Sequence, residues 1–179
     1  FNTLNSISTL VLLKQTDRAN AMLSRLSSFL RYTLVNESTG MVTVAQEIET
    51  LKLYLEIEKM RFEDRLRPHF TIDKSVMRAH LPSLLLQPLI ENAVYHGIEP
   101  RVEPGEISID IYTSRNRVHA VLRNPFEERS THHSGNKMAI DNIRERLQLH
   151  FDAEASLETR IRENVYQVHI VLPYVKATA

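Results

Sequence analysis

The chain has 179 residues, with 22 Lys plus Arg balanced by 22 Asp plus Glu, and 42% of it is hydrophobic. That apolar fraction supplies a proper core and argues against overall disorder, while zero net charge argues against direct nucleic-acid binding through a broad basic face. With no cysteine, disulfides, thiolate metal sites and cysteine nucleophiles are excluded, and no uninterrupted apolar run reaches the roughly 18–20 residues of a membrane span. A start at Phe1 rather than methionine is what a piece of a longer protein would show.

Residues 1–37 read as helix. Ala19, Met22, Leu26, Phe29 and Thr33 follow a three-four-three-four spacing, and Leu23, Leu30 and Leu34 widen the stripe. Asp17 either caps a second helix or sits on the outside of one long one, and the spacing leaves both open. Asn36 to Met41 is a break with Gly40 as its hinge. Thr43 and Gln46 then make a capping-box pattern that opens a second helix running to about Asp64. Its stripe of Val44, Ile48, Leu51 and Leu55 is widened by Leu53, Tyr54, Ile57 and Met60. That arc is too broad for two helices to cover. Residues 1–64 are therefore expected to form an antiparallel hairpin that dimerises into a four-helix bundle, the other solution being that the following domain covers the surplus face. The Glu56, Glu58, Lys59 and Arg61 cluster reads as solvated surface.

From Arg67 the texture changes. Pro68 to Asp73 is a short strand, and Pro82 precedes an apolar helix expected over Leu84 to Ile98. Glu99 to Gly105 is a loop. Ile107, Ile109 and Ile111, then Val118, Ala120 and Leu122, alternate with polar residues as half-buried strands do, with a hairpin turn at Ser114 to Arg117. Asn124 to Lys137 reads as a long loop and Ala139 to Phe151 as a helix. Ser156 to Ile161 and Tyr166 to Leu172 are two further strands. Helices segregated against an antiparallel sheet give an α+β sandwich over residues 66–176.

The stretch LLLQPLIENAVYHGI, residues 84–98, organises the chain. It begins as a buried helical face but carries Glu91 and Asn92 side by side near its centre, followed by His96 and Gly97. Burying an ionised carboxylate and an amide without partners costs several kcal/mol or more, so these residues border a cavity or are paired. QPLIENAVYHG resembles the N box of the histidine-kinase ATP-binding fold in the variant carried by LytS/YehU-type sensor kinases. FNTLNSIS, LSSFLRYTL, YLEIEKMRFEDRL and DNIRERLQL match the same family in order and spacing, closest to an atypical branch of it.

The resemblance implies a GHKL or Bergerat-type ATP-binding domain behind a dimerisation hairpin. It implies ATP and Mg²⁺ as cofactors, with the Asn92 oxygen helping to hold the metal, which needs only one or two such protein ligands. It places the phosphoacceptor histidine three positions before Phe1, outside this chain, so residues 1–179 should bind nucleotide without phosphorylating themselves. It also implies a homodimer, a response regulator with a LytTR-type DNA-binding domain as partner, and the cytoplasmic portion of an inner-membrane sensor. Asn124, in LRNPFEE, stands where the family has an Asp that accepts a bond from the adenine amino group. Gly135 is what remains of a glycine-rich lid in GNKMAIDN. Arg144 and Arg146, which follow Asn142 at what reads as the start of a helix, offer a phosphate surface or are simply exposed helical arginines.

Several roles stay open. Glu91 either orients a Mg²⁺-bound water or pairs with an Arg, and His96 either meets phosphate or caps the helix end with Gly97. Pro125 and Phe126 cannot supply the backbone freedom of the family's glycines, so a dimeric scaffold with a degenerate pocket is the alternative to a kinase. His132 and His133 are adjacent and lack the further ligands a transition metal needs.

Overall fold

The structure, a computed structural model, describes residues 2–37, 40–127 and 133–176. Helix α1 (Asn2–Leu12) and helix α2 (Thr16–Glu37) are separate. Lys14 adopts φ +59°, its N–H meets the Val11 carbonyl at 3.0 Å, and the Gln15 N–H meets that of Leu10 at 2.8 Å. This is a Schellman ending with lysine where glycine is usual. Asp17 consequently lies in the first turn of α2.

Gly40, at φ +69°, leads into strand β1 (Met41–Thr43) and helix α3 (Val44–Phe62). The capping box forms as expected: Thr43 Oγ1 accepts the Gln46 N–H at 3.2 Å, and Gln46 Oε1 accepts the Thr43 N–H at 2.9 Å. Helices α2 and α3 run antiparallel, fixed by Arg18 with Glu63 at 2.8 Å, Arg25 Nη1 with Met60 Sδ at 2.8 Å and the Phe29 and Tyr54 rings at 6.0 Å. The expected hairpin is present.

The surplus face of α3 is covered from within the chain. Ile48, Leu51, Leu55 and Phe62 join the residues of the sheet in one core, and β1 pairs antiparallel with β3 (His80–Pro82). Packing runs on through the 3₁₀ turn Glu63–Arg65 into Leu66, which is fully buried. The core is thus continuous across residues 64–66, where the sequence suggested a boundary. The hairpin still leaves large apolar side chains exposed on α1 and α2, among them Leu4, Val11, Leu23, Leu30 and Leu34.

The sheet has five strands in the order β2 (Leu66–Ile72), β4 (Gly105–Ser114), β5 (Arg117–Pro125), β7 (Val165–Pro173) and β6 (Ser156–Arg162). β2 lies parallel to β4 and the other neighbours are antiparallel. The sheet is therefore mixed, a correction to the antiparallel expectation. The parallel pair follows from the long crossover through α4 (Gln87–Gly97), which a hairpin cannot supply. Two hairpins close on Arg115-Asn116 and Glu163-Asn164, both pairs at positive φ, a conformation Asn tolerates well. The alternating Ile107, Ile109 and Ile111, with Val118, Leu122, Val168, Ile170 and Leu172, face inward and are buried beneath α3, α4 and α5 (His133–Phe151).

Two helix starts differ from the sequence reading. α4 begins at Gln87 rather than Leu84, with Pro88 in its first turn, while Pro82 ends β3 and Leu84 turns the chain at φ +57°. α5 begins at His133 rather than Ala139, so most of the expected lid is either helical or, at 128–132 with His132, outside the described residues. Among the described residues no helix is long and apolar enough to cross a membrane.

Candidate functional site

On α4 the positions Leu89, Ile90, Ala93 and Val94 are buried towards the core, so the 3.6-residue period turns Glu91, Asn92, Tyr95 and His96 away from it. Asn92 is half-buried. It lines a cavity of 330 Å³ between α4, α3 and the start of α1, with Tyr54, Glu58 and Arg61 coming from α3 and Asn2 and Thr3 from α1. Its walls are chiefly polar, and the volume falls in the range of small-ligand sites.

The α3 wall overturns the reading of Glu58 and Arg61 as solvated surface. Glu58 is 2% exposed and holds Arg61 through a 2.5 Å Oε2–Nη1 contact, with Glu99 3.8 Å from the same guanidinium. Burial pushes the Glu58 carboxyl above the ordinary carboxylate range, against the pull of Arg61. Burial, and next the Glu58 charge, likewise push the Tyr54 hydroxyl up. The signal was available in the spacing: Tyr54, Glu58 and Arg61 share one helical stripe with the buried Leu51 and Leu55.

Glu91 is exposed and accepts the Gln87 Nε2–H at 3.0 Å, so its partner is an amide of its own helix and not an arginine. His96 sets its ring edge-on to Tyr95 at 4.9 Å. Carboxylates Glu58, Glu91 and Glu99 face a single guanidinium, Arg61, around the cavity, which favours a cation or a cation-bearing ligand over a bare anion.

The end of β5 approaches the same helix. Asn124 is 5% exposed and its Nδ2 donates to the Pro125 carbonyl at 2.8 Å. A Cβ on Gly97 would stand 2.9 Å from that Nδ2 and 3.0 Å from the Pro125 carbonyl oxygen. The absent side chain of Gly97 is thus what lets Asn124 lie against α4. A larger cavity of 680 Å³ beside Asn124 and Phe126 is lined by no residue of α4, so the smaller one beside Asn92 is the site the chemistry points to.

Asn142 and Arg144 are not brought there. α5 starts nine residues before Asn142, so that residue is mid-helix, exposed, and without the unpaired N–H groups of a helix start. Arg144 pairs with Asp141 on its own helix at 3.2 Å, and Arg146 donates to the carbonyls of Leu84, at 3.1 Å, and Ser83 rather than facing the cavity. Gly135 lies in the first turn of α5. Among the described residues no group of three or more His, Cys, Asp or Glu is arranged to hold a metal ion, so a metal here would lean on Asn92 and on a ligand's own oxygens.

Known proteins resemble the chain in sequence and in fold. A family model described as histidine kinase matches residues 1–66. Sensor histidine kinase YpdA of Escherichia coli is 34% identical over 83% of the chain and 28% of its own length. Sensor protein LytS of Oceanobacillus iheyensis is 30% identical over 97% of the chain and 32% of its own length. The chain spans about a third of the length of these relatives. The solved catalytic domain of histidine kinase ThkA superposes with a TM-score of 0.57 at 15% identity, over 76% of the chain and 97% of that domain. ThkA bound to response regulator protein TrrA gives 0.54 at 15% identity, over 97% of the chain and 58% of that protein. The chain belongs to the histidine kinase family, in its LytS-type sensor branch.

Proposed function

We propose that residues 1–179 are the transmitter core of a two-component sensor kinase, which binds Mg²⁺-ATP against α4 and passes the γ-phosphoryl group to a histidine upstream of Phe1. The observation that carries this reading is the cavity in which Asn92 meets the first residues of α1. A phosphoacceptor on the segment preceding α1 would enter the site from that side. Asn92 and the phosphate oxygens would hold Mg²⁺, whose chemistry is to neutralise charge on the transferring group. The carboxylates around Asn92 make the cation a condition of triphosphate entry. At the other end of the site Asn124 spends its amide donor on Pro125, so its oxygen is the atom left to accept from an adenine amino group.

The catalytic domain is best drawn from β1 onward. The ThkA catalytic domain alone matches 76% of the chain, an extent that residues 66–176 cannot fill, and α3 shares the core of the sheet. Helices α1 and α2 are then the dimerisation and phosphotransfer elements, and their exposed leucines are the surface on which a second copy packs. The phosphorylated protein would pass its phosphate to a response regulator, of LytTR type on the family resemblance, with the transmitter core on the cytoplasmic side of an inner-membrane sensor.

The test is phosphorylation of the longer protein, including the segment before Phe1, by γ-labelled ATP. Acid-labile label that is lost on replacing the upstream histidine is the expected result. Nucleotide binding without labelling contradicts the kinase reading. The sequence NPF at 124–126 favours a second reading, a dimeric scaffold with a decayed pocket, because Pro125 and Phe126 restrict the backbone where the family has glycine.

A further inference from the structure

One continuous segment, α3 with the turn that follows it, grips α4 at both ends. At the front, Glu47 is 1% exposed. Its Oε1 accepts the N–H of Leu86 at 2.8 Å and its Oε2 that of Leu84 at 3.0 Å. Leu86 is the N-cap of α4 and has no side-chain cap of its own. The Glu47 carboxylate accepts from the N-cap's own N–H, as the reciprocal Glu of a capping box does, and lies at the positive end of the helix dipole.

At the far end Arg65 does the reverse. Its Nη2 donates to the carbonyls of Ile98 at 3.1 Å and Glu99 at 3.3 Å, and also to that of Arg101. These are the carbonyls of the turn that leaves α4, beside the negative end of its dipole. Arg146 of α5 completes the grip on the entry loop by donating to the carbonyls of Leu84, at 3.1 Å, and Ser83. Leu84 keeps φ +57°, a conformation that persists in a leucine only where its surroundings hold it.

None of these three side chains lines the cavity at Asn92, so their effect on it is positional. α3 is also the helix against which α2 lies, through Arg18, Arg25 and Phe29. We infer that Glu47 and Arg65 are positioning residues: they fix α4 along its own axis against α3, and so set where Asn92 stands relative to the hairpin. Their effect on nucleotide rests on the functional reading above; the bracket itself does not.

Amide hydrogen exchange and Mg²⁺-ATP titration of chain 1–179 separate the two. In the unaltered chain the Leu84 and Leu86 amides should exchange as slowly as the amides of β4 and β5. Glu47→Ala should speed those two by about a hundredfold while the strands stay protected, as local opening does. Glu47→Ala and Arg65→Ala should each weaken Mg²⁺-ATP roughly tenfold or more, as loss of an outer-shell partner does, and Arg65→Lys should restore part of it. Unchanged exchange at Leu84 and Leu86 in Glu47→Ala overturns the bracket, and binding whose affinity is unchanged in both alanine variants overturns the positioning of Asn92 by it. Should Glu47→Ala leave the strands unprotected, Glu47→Gln carries the same test, and unchanged exchange there is equally fatal. No binding of Mg²⁺-ATP by the unaltered chain overturns the functional reading alone, and exchange then decides the bracket.

Discussion

Arg61 and Glu58 show how much a single pair can carry. Removing the guanidinium leaves a carboxylate that is 2% exposed without its cation, a change that costs about 3–5 kcal/mol for buried pairs. Urea denaturation of Arg61→Ala at pH 7 should show a loss of that order. Burial raises the Glu58 pKa against the pull of Arg61, so the folded chain takes up a proton there more readily than the unfolded one does. A group with a raised folded pKa contributes stability that is present at low pH and is lost as pH rises through that pKa. The deficit of Arg61→Ala should accordingly shrink on acidification towards the ordinary carboxylate range. A deficit independent of pH would mean that packing, not charge, is what Arg61 supplies.

Gly97 is a second test at this scale. Gly97→Ala places a methyl 2.9 Å from Asn124 Nδ2 and 3.0 Å from backbone oxygen. Overpacking of this kind costs about 1–3 kcal/mol, and the variant should lose both melting temperature and nucleotide affinity. An unchanged melt would show that β5 can move away freely. Asn92 and Gly97 were legible as special because polar and glycine residues break an apolar helical run. Glu47 and Arg65 were not, since each looks like an ordinary surface charge until tertiary structure brings a helix end to it. Asn142 and Arg144 were misplaced because the polar, glycine-bearing residues 133–137 show no apolar period in the sequence, although α5 includes them, and a helix register error moves every anion-binding argument with it.

At the scale of elements, α3 is the member that sequence reading assigned correctly in type and incompletely in company. Its capping box and stripe gave its limits closely. Its wide apolar arc was read as one half of a dimer interface, whereas the sheet and α4 cover it. Period alone reports that a face is buried and is silent on what buries it. The strands of the five-stranded sheet were legible because alternation is a local signal, whereas the three-residue β1 and β3 are too short to show one and went unread. The parallel pairing of β2 with β4 is not local, and nothing in the residues of β2 announces it. With α3 occupied, the exposed Leu23 and Leu30 of α2 are the surface proposed above for a second copy. Leu23→Glu combined with Leu30→Glu should halve the mass seen by sedimentation while the monomer stays folded, with stability losing only what the partner contributes by mass action. An unaltered chain that already sediments as a monomer, or a double variant that keeps the dimer mass, contradicts that assignment.

At the scale of the whole molecule, a hairpin and a mixed α/β sandwich share one helix, and the polar cavity lies where hairpin, shared helix and α4 meet. The account depends on that cavity accepting a nucleotide through its metal. Titration of chain 1–179 with ATP, with and without Mg²⁺, and of Asn92→Ala alongside it, tests this most directly. The account predicts saturable binding by the unaltered chain that requires Mg²⁺ and that Asn92→Ala abolishes. Absence of binding at millimolar Mg²⁺-ATP, or binding that the substitution leaves untouched, would contradict it.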